Sequence, residues 1–198
     1  MDNNAPWWAS RPPDQVLKER KPFLHPDVIE RLHGILKKDM TVLEHGSGGS
    51  TLWFEDRVER VVSVEQNMKW ADAVKGASRG KYTKLVHHVE PYIPMDAIKA
   101  FLPVDLLLID GEPLEVRCIW LYDVAELVRP GGWVVLDNAN REIYRNERQA
   151  LIDAYPKDYF TFNGNEGITK FLVTDFWRRP LESRPQPVIR RRSTRKVK

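Results

Sequence analysis

Unbroken apolar runs alternate along the chain with segments whose apolar residues recur every three or four positions. Runs at 41–44, 60–65, 84–89, 104–110 and 132–137 are mostly Val, Leu and Ile. They lack the in–out alternation of a half-exposed sheet, which is the pattern of parallel strands covered on both faces. Between them, 50–56, 67–77, 94–101 and 113–128 suit crossover helices, while 27–38 precedes the first strand and 140–155 follows the fifth. Within 113–128, Val116, Ile119, Trp120, Val124, Leu127 and Val128 recur at helical spacing, which assigns Trp120 to the core. Arg129-Pro130-Gly131-Gly132 then reads as a helix stop and turn. After Tyr155 two β-type runs, 159–163 and 168–176, flank Gly164-Asn165-Glu166-Gly167 and predict a hairpin. The expected fold is an open α/β sheet with helices on both faces, and such sheets bind ligands beyond the carboxyl ends of the strands, where strand order reverses.

Composition narrows this. At 198 residues the chain suits one domain. The single cysteine, Cys118, excludes an internal disulfide framework and suits a reducing compartment. No apolar run approaches the roughly 20 residues of a membrane span, and residues 1–14 have neither the basic nor the apolar region of a signal peptide, so a soluble cytoplasmic protein is expected. The net charge of +3 is misleading: residues 184–198 hold seven Lys or Arg and no acid, and the other 24 of the 31 basic residues face 28 acids, about −4 for the body. The expected organisation is an N-terminal segment, 1–25, that could serve as a lid, a domain at 26–179, and a basic tail at 180–198. The tail reads as an arm for nucleic acid or another acidic surface, or as a solvated terminus.

The candidate chemistry centres on 42–67, VLEHGSGGSTLWFEDRVERVVSVEQN. Gly46 and Gly48 directly follow the first strand, so the backbone can turn sharply and come close to a ligand, and Ser50-Thr51 can cap the following helix. Glu65 ends the second strand 17 residues after Gly48, a spacing that suits a carboxylate accepting hydrogen bonds from both ribose hydroxyls. The loop departs from the dinucleotide fingerprint, since Thr51 stands at the third glycine position. It also lacks the Gly-Lys-Ser/Thr of a phosphate-binding Walker loop, and neither Ser47 nor Ser50 has the flanking glycines of a nucleophile elbow.

Glu44-His45-Gly46-Ser47-Gly48-Gly49-Ser50, the acid Glu65, VDLLLIDG (104–111) and LVRPGGWVVLDN (127–138) together resemble the class I S-adenosylmethionine-dependent methyltransferases. The resemblance covers about 26–177, and the four motifs occur in the family's order. It implies a single-domain Rossmann-like sheet of seven strands, mostly parallel with an antiparallel last strand, and S-adenosyl-L-methionine as cofactor. It further implies that Glu44, Gly46, Ser47, Gly48, Ser50 and Thr51 surround the methionine part, and that Glu65 with Gln66 holds the ribose. His88 and its neighbours would flank the adenine, and Asp110 would close the pocket.

The methyl acceptor is read from the residues just beyond the fourth and fifth strands. Asp110-Gly111-Glu112-Pro113 lacks the motif of amino-type DNA methyltransferases, and Cys118 follows Arg117 rather than the proline of cytosine-C5 enzymes. Asp110, Asp137 and Asn138 resemble the oxygen-ligand set of catechol-type O-methyltransferases, which hold a divalent ion, although the lysine base of that group is missing. Asp110 and Asp137 are the candidate catalytic residues, either as proton acceptors or as metal ligands. His45, His87 and His88 are alternative bases, and Trp7-Trp8, Lys21-Pro22-Phe23, Arg141 and Tyr144 are candidates for a lid and an acceptor wall. The expected activity is O-methylation of a small molecule. The alternatives are an RNA or protein methyltransferase that uses the basic tail, and a relative that only binds the nucleoside.

Overall fold

The computed structural model describes residues 13–80, 83–89, 91–154, 159–163 and 173–179. Trp7-Trp8, the hairpin connection 164–167, the first part (168–172) of the second expected hairpin run and the tail 180–198 lie outside them. Seven strands, β1 (Thr41–His45), β2 (Arg60–Glu65), β3 (Thr83–His87), β4 (Val104–Ile109), β5 (Val128–Leu136), β6 (Tyr159–Asn163) and β7 (Val173–Arg178), form one sheet. Its order is β3-β2-β1-β4-β5-β7-β6. The first five strands are parallel and β7 is antiparallel to both of its neighbours, as the hairpin reading requires. The described helices are α1 (Pro13–Glu19), α2 (Pro26–Ile35), α3 (Gly49–Glu55), α4 (Met68–Ala77), α5 (Met95–Ile98), α6 (Leu114–Tyr122), α7 (Val124–Leu127) and α8 (Arg145–Ala154).

The reason for the unbroken apolar runs is visible in which residues share a core. Leu43, Leu107, Ile109, Val134 and Leu136 pack with Val116, Trp120, Leu121 and Tyr144 on one face. Their strand neighbours Val42, Leu106, Leu108 and Val135 pack with Val28, Leu32, Trp53 and Phe54 on the other. Both faces of the central strands are therefore covered, and successive residues are all apolar because each meets a helix. Trp120 is core, as its spacing predicts.

Four segments differ from the expectation. Residues 113–128 form two helices, α6 and α7, which part at Asp123. The Pro-Gly-Gly stretch is not a turn before β5 but part of it: Val128 already pairs with Val104, the register then shifts, and Trp133 pairs with Leu106. Gly131, at φ +77°, absorbs the irregularity, and a Cβ on Gly132 would come within 2.6 Å of the Val128 side chain. Segment 94–101 divides into α5 and a 3-10 turn at Lys99–Phe101. Finally α1, too short to declare a period, buries Val16 and Leu17, and Arg20 behind it donates to Asp56, Glu55, the Leu52 carbonyl and the Ala77 carbonyl. Among the described residues no helix is long and apolar enough to cross a membrane.

Candidate functional site

The carboxyl edge of the sheet is held in line past the ends of the strands. Gly46 N donates to the Val64 carbonyl, Asp110 N to His45, Asp137 N to Ile109 and His88 N to Glu65, at 2.8 to 3.2 Å. Ladder bonds of this kind set Glu65, Gly46, Asp110 and Asp137 side by side across β2, β1, β4 and β5. The crevice lies between β1 and β4, where the chain, having run outward from β1 through β2 to β3, crosses back to lay β4 on the other side of β1, the switch point of the topology.

Gly46 is a loop glycine whose backbone demands the residue. Its φ is +90°, and a Cβ there would lie 2.5 Å from Gly111 Cα. Gly111 is confined in turn, because its own Cβ would sit 2.8 Å from Gly46 N and 2.9 Å from the His45 ring. The turns after β1 and β4 therefore touch backbone to backbone. Ser47 then donates to Glu65 Oε2 from both its N–H (2.9 Å) and its hydroxyl (3.2 Å), while Asn67 N donates to Glu65 Oε1 at 2.8 Å. Two carboxylate oxygens offer about four acceptor sites, so Glu65 is fixed in orientation and still has acceptor capacity. Trp70, one turn into α4, donates its indole N–H to the Ser47 carbonyl at 2.5 Å and braces the loop from the other side.

Glu44 reaches the same loop from beneath. It is fully buried, with Oε2 accepting from Thr51 (2.5 Å) and Ser63 (2.8 Å), and Thr51 Oγ1 accepts from Gly48 N at 2.9 Å. Thr51 thus closes the start of α3 from inside its first turn, whereas Ser50, partly exposed, lies near the Glu44 carboxyl. Glu44 Oε1 makes no hydrogen bond of normal geometry. Burial pushes the Glu44 carboxyl up to about 7, with Ser50, Thr51 and Ser63 opposing the rise.

On the other side of the crevice Asp110 and Asp137 face each other's charge. Burial and then the neighbouring Asp137 raise Asp110 to about 8, and burial raises Asp137, which accepts from Thr174 Oγ1 at 2.7 Å. One cation stands among them. Arg117, 2% exposed, donates to the carbonyls of Asp110, Gly111 and Asp137 at 2.7 to 2.9 Å and to Asp110 Oδ1 at 3.1 Å. It ties the ends of β4 and β5 together. This set does not fit a divalent ion: Asp110 is engaged by a guanidinium, Asp137 by a hydroxyl, and Asn138 Oδ1 by Arg141 at 3.1 Å. Among the described residues no group of three acids, histidines or cysteines converges as a metal cage would.

The histidines are placed as structural groups. His45 is buried against Trp120, ring centroids 5.1 Å apart, and burial followed by the charge of Arg117 lowers it to about 3, so it is neutral. His87 and His88 each direct Nε2 at a carbonyl, of Gln66 and Tyr92 respectively; a carbonyl only accepts, so Nε2 carries the proton in both. These bonds place Gln66 and His88 beside Glu65 at the ends of β2 and β3. Sequence reasoning passed over Arg117, Trp70 and Gly111. For Arg117 the signal was legible: a charged residue on the apolar stripe that holds Val116 and Trp120.

No protein-family model matches the chain, and no curated protein matches it. Its fold is shared with solved structures. One is an O-methyltransferase from Bacillus cereus in complex with S-adenosylhomocysteine (TM-score 0.58, 19% identity, over 85% of this chain and 92% of that one). Another is an rRNA methylase from Streptococcus thermophilus (TM-score 0.60, 9% identity, 81% and 99%). A third is a fibrillarin from Aeropyrum pernix with natively bound S-adenosyl-L-methionine (TM-score 0.56, 16% identity, 72% and 68%). The fold is thus the Rossmann-like one that these methyltransferase structures have, as the resemblance of its motifs implies.

Proposed function

We propose that the chain is an S-adenosyl-L-methionine-dependent methyltransferase that acts on a hydroxyl of a small molecule. The observation that carries the reading is the convergence of Glu44, Glu65, Asp110 and Asp137 on one crevice in which Arg117 is, among the described residues, the single buried cation. Such a crevice favours a ligand that brings its own positive charge. S-adenosylmethionine brings an ammonium and a sulfonium, and when bound it supplies an electrophilic methyl group. Glu65 accepts from one ribose hydroxyl at its remaining acceptor site and from the other in place of the Ser47 hydroxyl, and Gln66 and His88 border the base. The turn at Gly46 and Ser47, kept in shape by Glu44, Thr51, Gly48 and Ser50, approaches the methionine part.

The protein's share of such a reaction is chiefly positional, since an acceptor oxygen must be held in line with the methyl carbon. Asp110 and Asp137 take the acceptor's proton. A carboxyl raised by burial and by a like charge is a stronger base once ionised than an exposed one, and the pair needs only one charge to work. Arg117 positions both through their backbone and keeps the raised pair from becoming too hard to ionise. The donor set gives no step to a metal. Incubation of the full-length protein with labelled S-adenosylmethionine and a metabolite extract, with and without EDTA, tests the reading by mass spectrometry. Methylated products with unchanged yield in EDTA are expected. No labelled product from any extract, with cofactor bound, would leave a nucleoside-binding protein without turnover.

A further inference from the structure

A small cavity of about 130 Å³ opens beside the crevice, where the chain leaves β5 and enters α8. Three arginines line it, Arg141, Arg145 and Arg148, with Asn140, Gln149 and a single acid, Glu142. The arginines recur at i, i+4 and i+7, one stripe along the turn and α8. Like charges at that spacing are unfavourable to one another, and of the three only Arg148 has a structural partner that calls for its charge. Their present partners differ. Arg148 forms a two-point ion pair with the buried Asp175 of β7. Arg145 pairs with Glu142 on the open surface, an arrangement of little net worth that a better partner displaces easily. The Arg141 side chain gives, among the described residues, one hydrogen bond, to Asn138 Oδ1, and its fork has five donors to offer. Asn138 sits at φ +54° directly after Asp137, which places that fork next to the proposed proton acceptor.

We infer that this cavity binds an anionic oxygen group, a carboxylate or a phosphate, carried by the methyl acceptor. The acceptor is then a hydroxyl-bearing organic anion, anchored by Arg141 and Arg145 while its hydroxyl lies at Asp110 and Asp137. The inference rests on the methyltransferase reading for the word acceptor, but the anion site itself does not. A cavity this small, with Arg148 already paired, suits one charged group rather than a nucleic-acid backbone, which needs a line of separated cations.

The test uses the full-length protein saturated with S-adenosylhomocysteine, titrated with inorganic phosphate and with benzoate and followed by NMR and calorimetry. One or both should bind, and Arg141→Gln and Arg145→Gln should each weaken that binding about tenfold or more while S-adenosylhomocysteine affinity stays within about twofold. Arg145 is exposed, so its variant keeps the test valid if Arg141→Gln folds poorly. Preference for phosphate or for benzoate tells which anion the acceptor carries. In a panel of labelled-methyl reactions, hydroxybenzoates or phosphate monoesters should be methylated in preference to neutral phenols, and the preference should vanish in both variants. If wild type binds S-adenosylhomocysteine but neither probe, the anion site is wrong and the cofactor reading stands. If wild type binds a probe but does not bind S-adenosylhomocysteine, the methyltransferase reading is wrong and the anion site stands. If an RNA oligomer displaces phosphate and loses affinity in both variants, the small-molecule assignment is overturned.

Discussion

At the scale of single residues, the site makes separable demands on backbone shape, charge and proton transfer. Gly46 answers the first: replacing it with Ala imposes a left-handed conformation on a Cβ that has no room against Gly111, and Gly46→Ala should cost more than about 2 kcal/mol, seen as a lower denaturation midpoint at unchanged slope. We propose that Asp110 answers the third. Because it is raised to about 8, the rate of hydroxyl methylation should climb as pH rises towards 8, and Asp110→Asn should both slow the reaction and flatten that climb. A variant with an unaltered pH–rate profile would remove Asp110 from proton transfer. Of these residues the sequence singled out Gly46, Gly48 and the acids as candidates, because turn geometry and charge leave marks at fixed spacings. Roles that arise from packing across distant segments were less legible. The contact of Gly46 with Gly111 and the bond from Trp70 to Ser47 join residues that only the folded sheet brings together.

At the scale of elements, the alternation of apolar runs with helical periods was enough to read the five parallel strands and the hairpin, since strands buried on both faces leave a strong signal. It misplaced the start of β5, where a bulge lets Pro130 and Gly131 sit inside a strand, and it missed α1, whose seven residues are too few to display a period. The joint between β4 and β5 depends on one side chain. Arg117→Ala would leave three carbonyls and the pair of acids without their buried counter-charge, and a loss of about 3–5 kcal/mol is expected in chemical denaturation. Arg117→Lys, with fewer donors and no fork, should rescue only part of it. A midpoint unchanged in both variants would show that β4 and β5 hold together without it.

At the scale of the whole molecule, the acids of the crevice link stability to pH and to ligand. Glu44 and Asp110, raised to about 7 and 8, and Asp137, also raised, hold protons in the folded chain that the unfolded chain releases above about pH 4. Their contribution to stability is fully present below the unfolded values and is lost as pH rises through the folded ones, so the melting temperature should fall between pH 5 and about 8.5. Glu55 acts in the opposite sense. Burial works to raise it, but Arg20 and the donors of Arg79, Ser78 and Thr83 prevail and lower it to about 2, so its contribution is lost only in strong acid. A doubly cationic ligand stabilises the ionised acids, so S-adenosylmethionine binding should release protons, read as a binding enthalpy that varies with the ionisation enthalpy of the buffer. Whether the crevice is a cofactor site at all is decided by calorimetric titration of the full-length protein and of Glu65→Ala with S-adenosylhomocysteine, which keeps the ribose but lacks the sulfonium. Glu65 is held by Ser47 and Asn67 with acceptor capacity to spare, so wild type should bind and Glu65→Ala should bind about 10- to 100-fold more weakly with its fold intact. Equal affinities would contradict the role of Glu65, and no binding by wild type would contradict the methyltransferase reading itself.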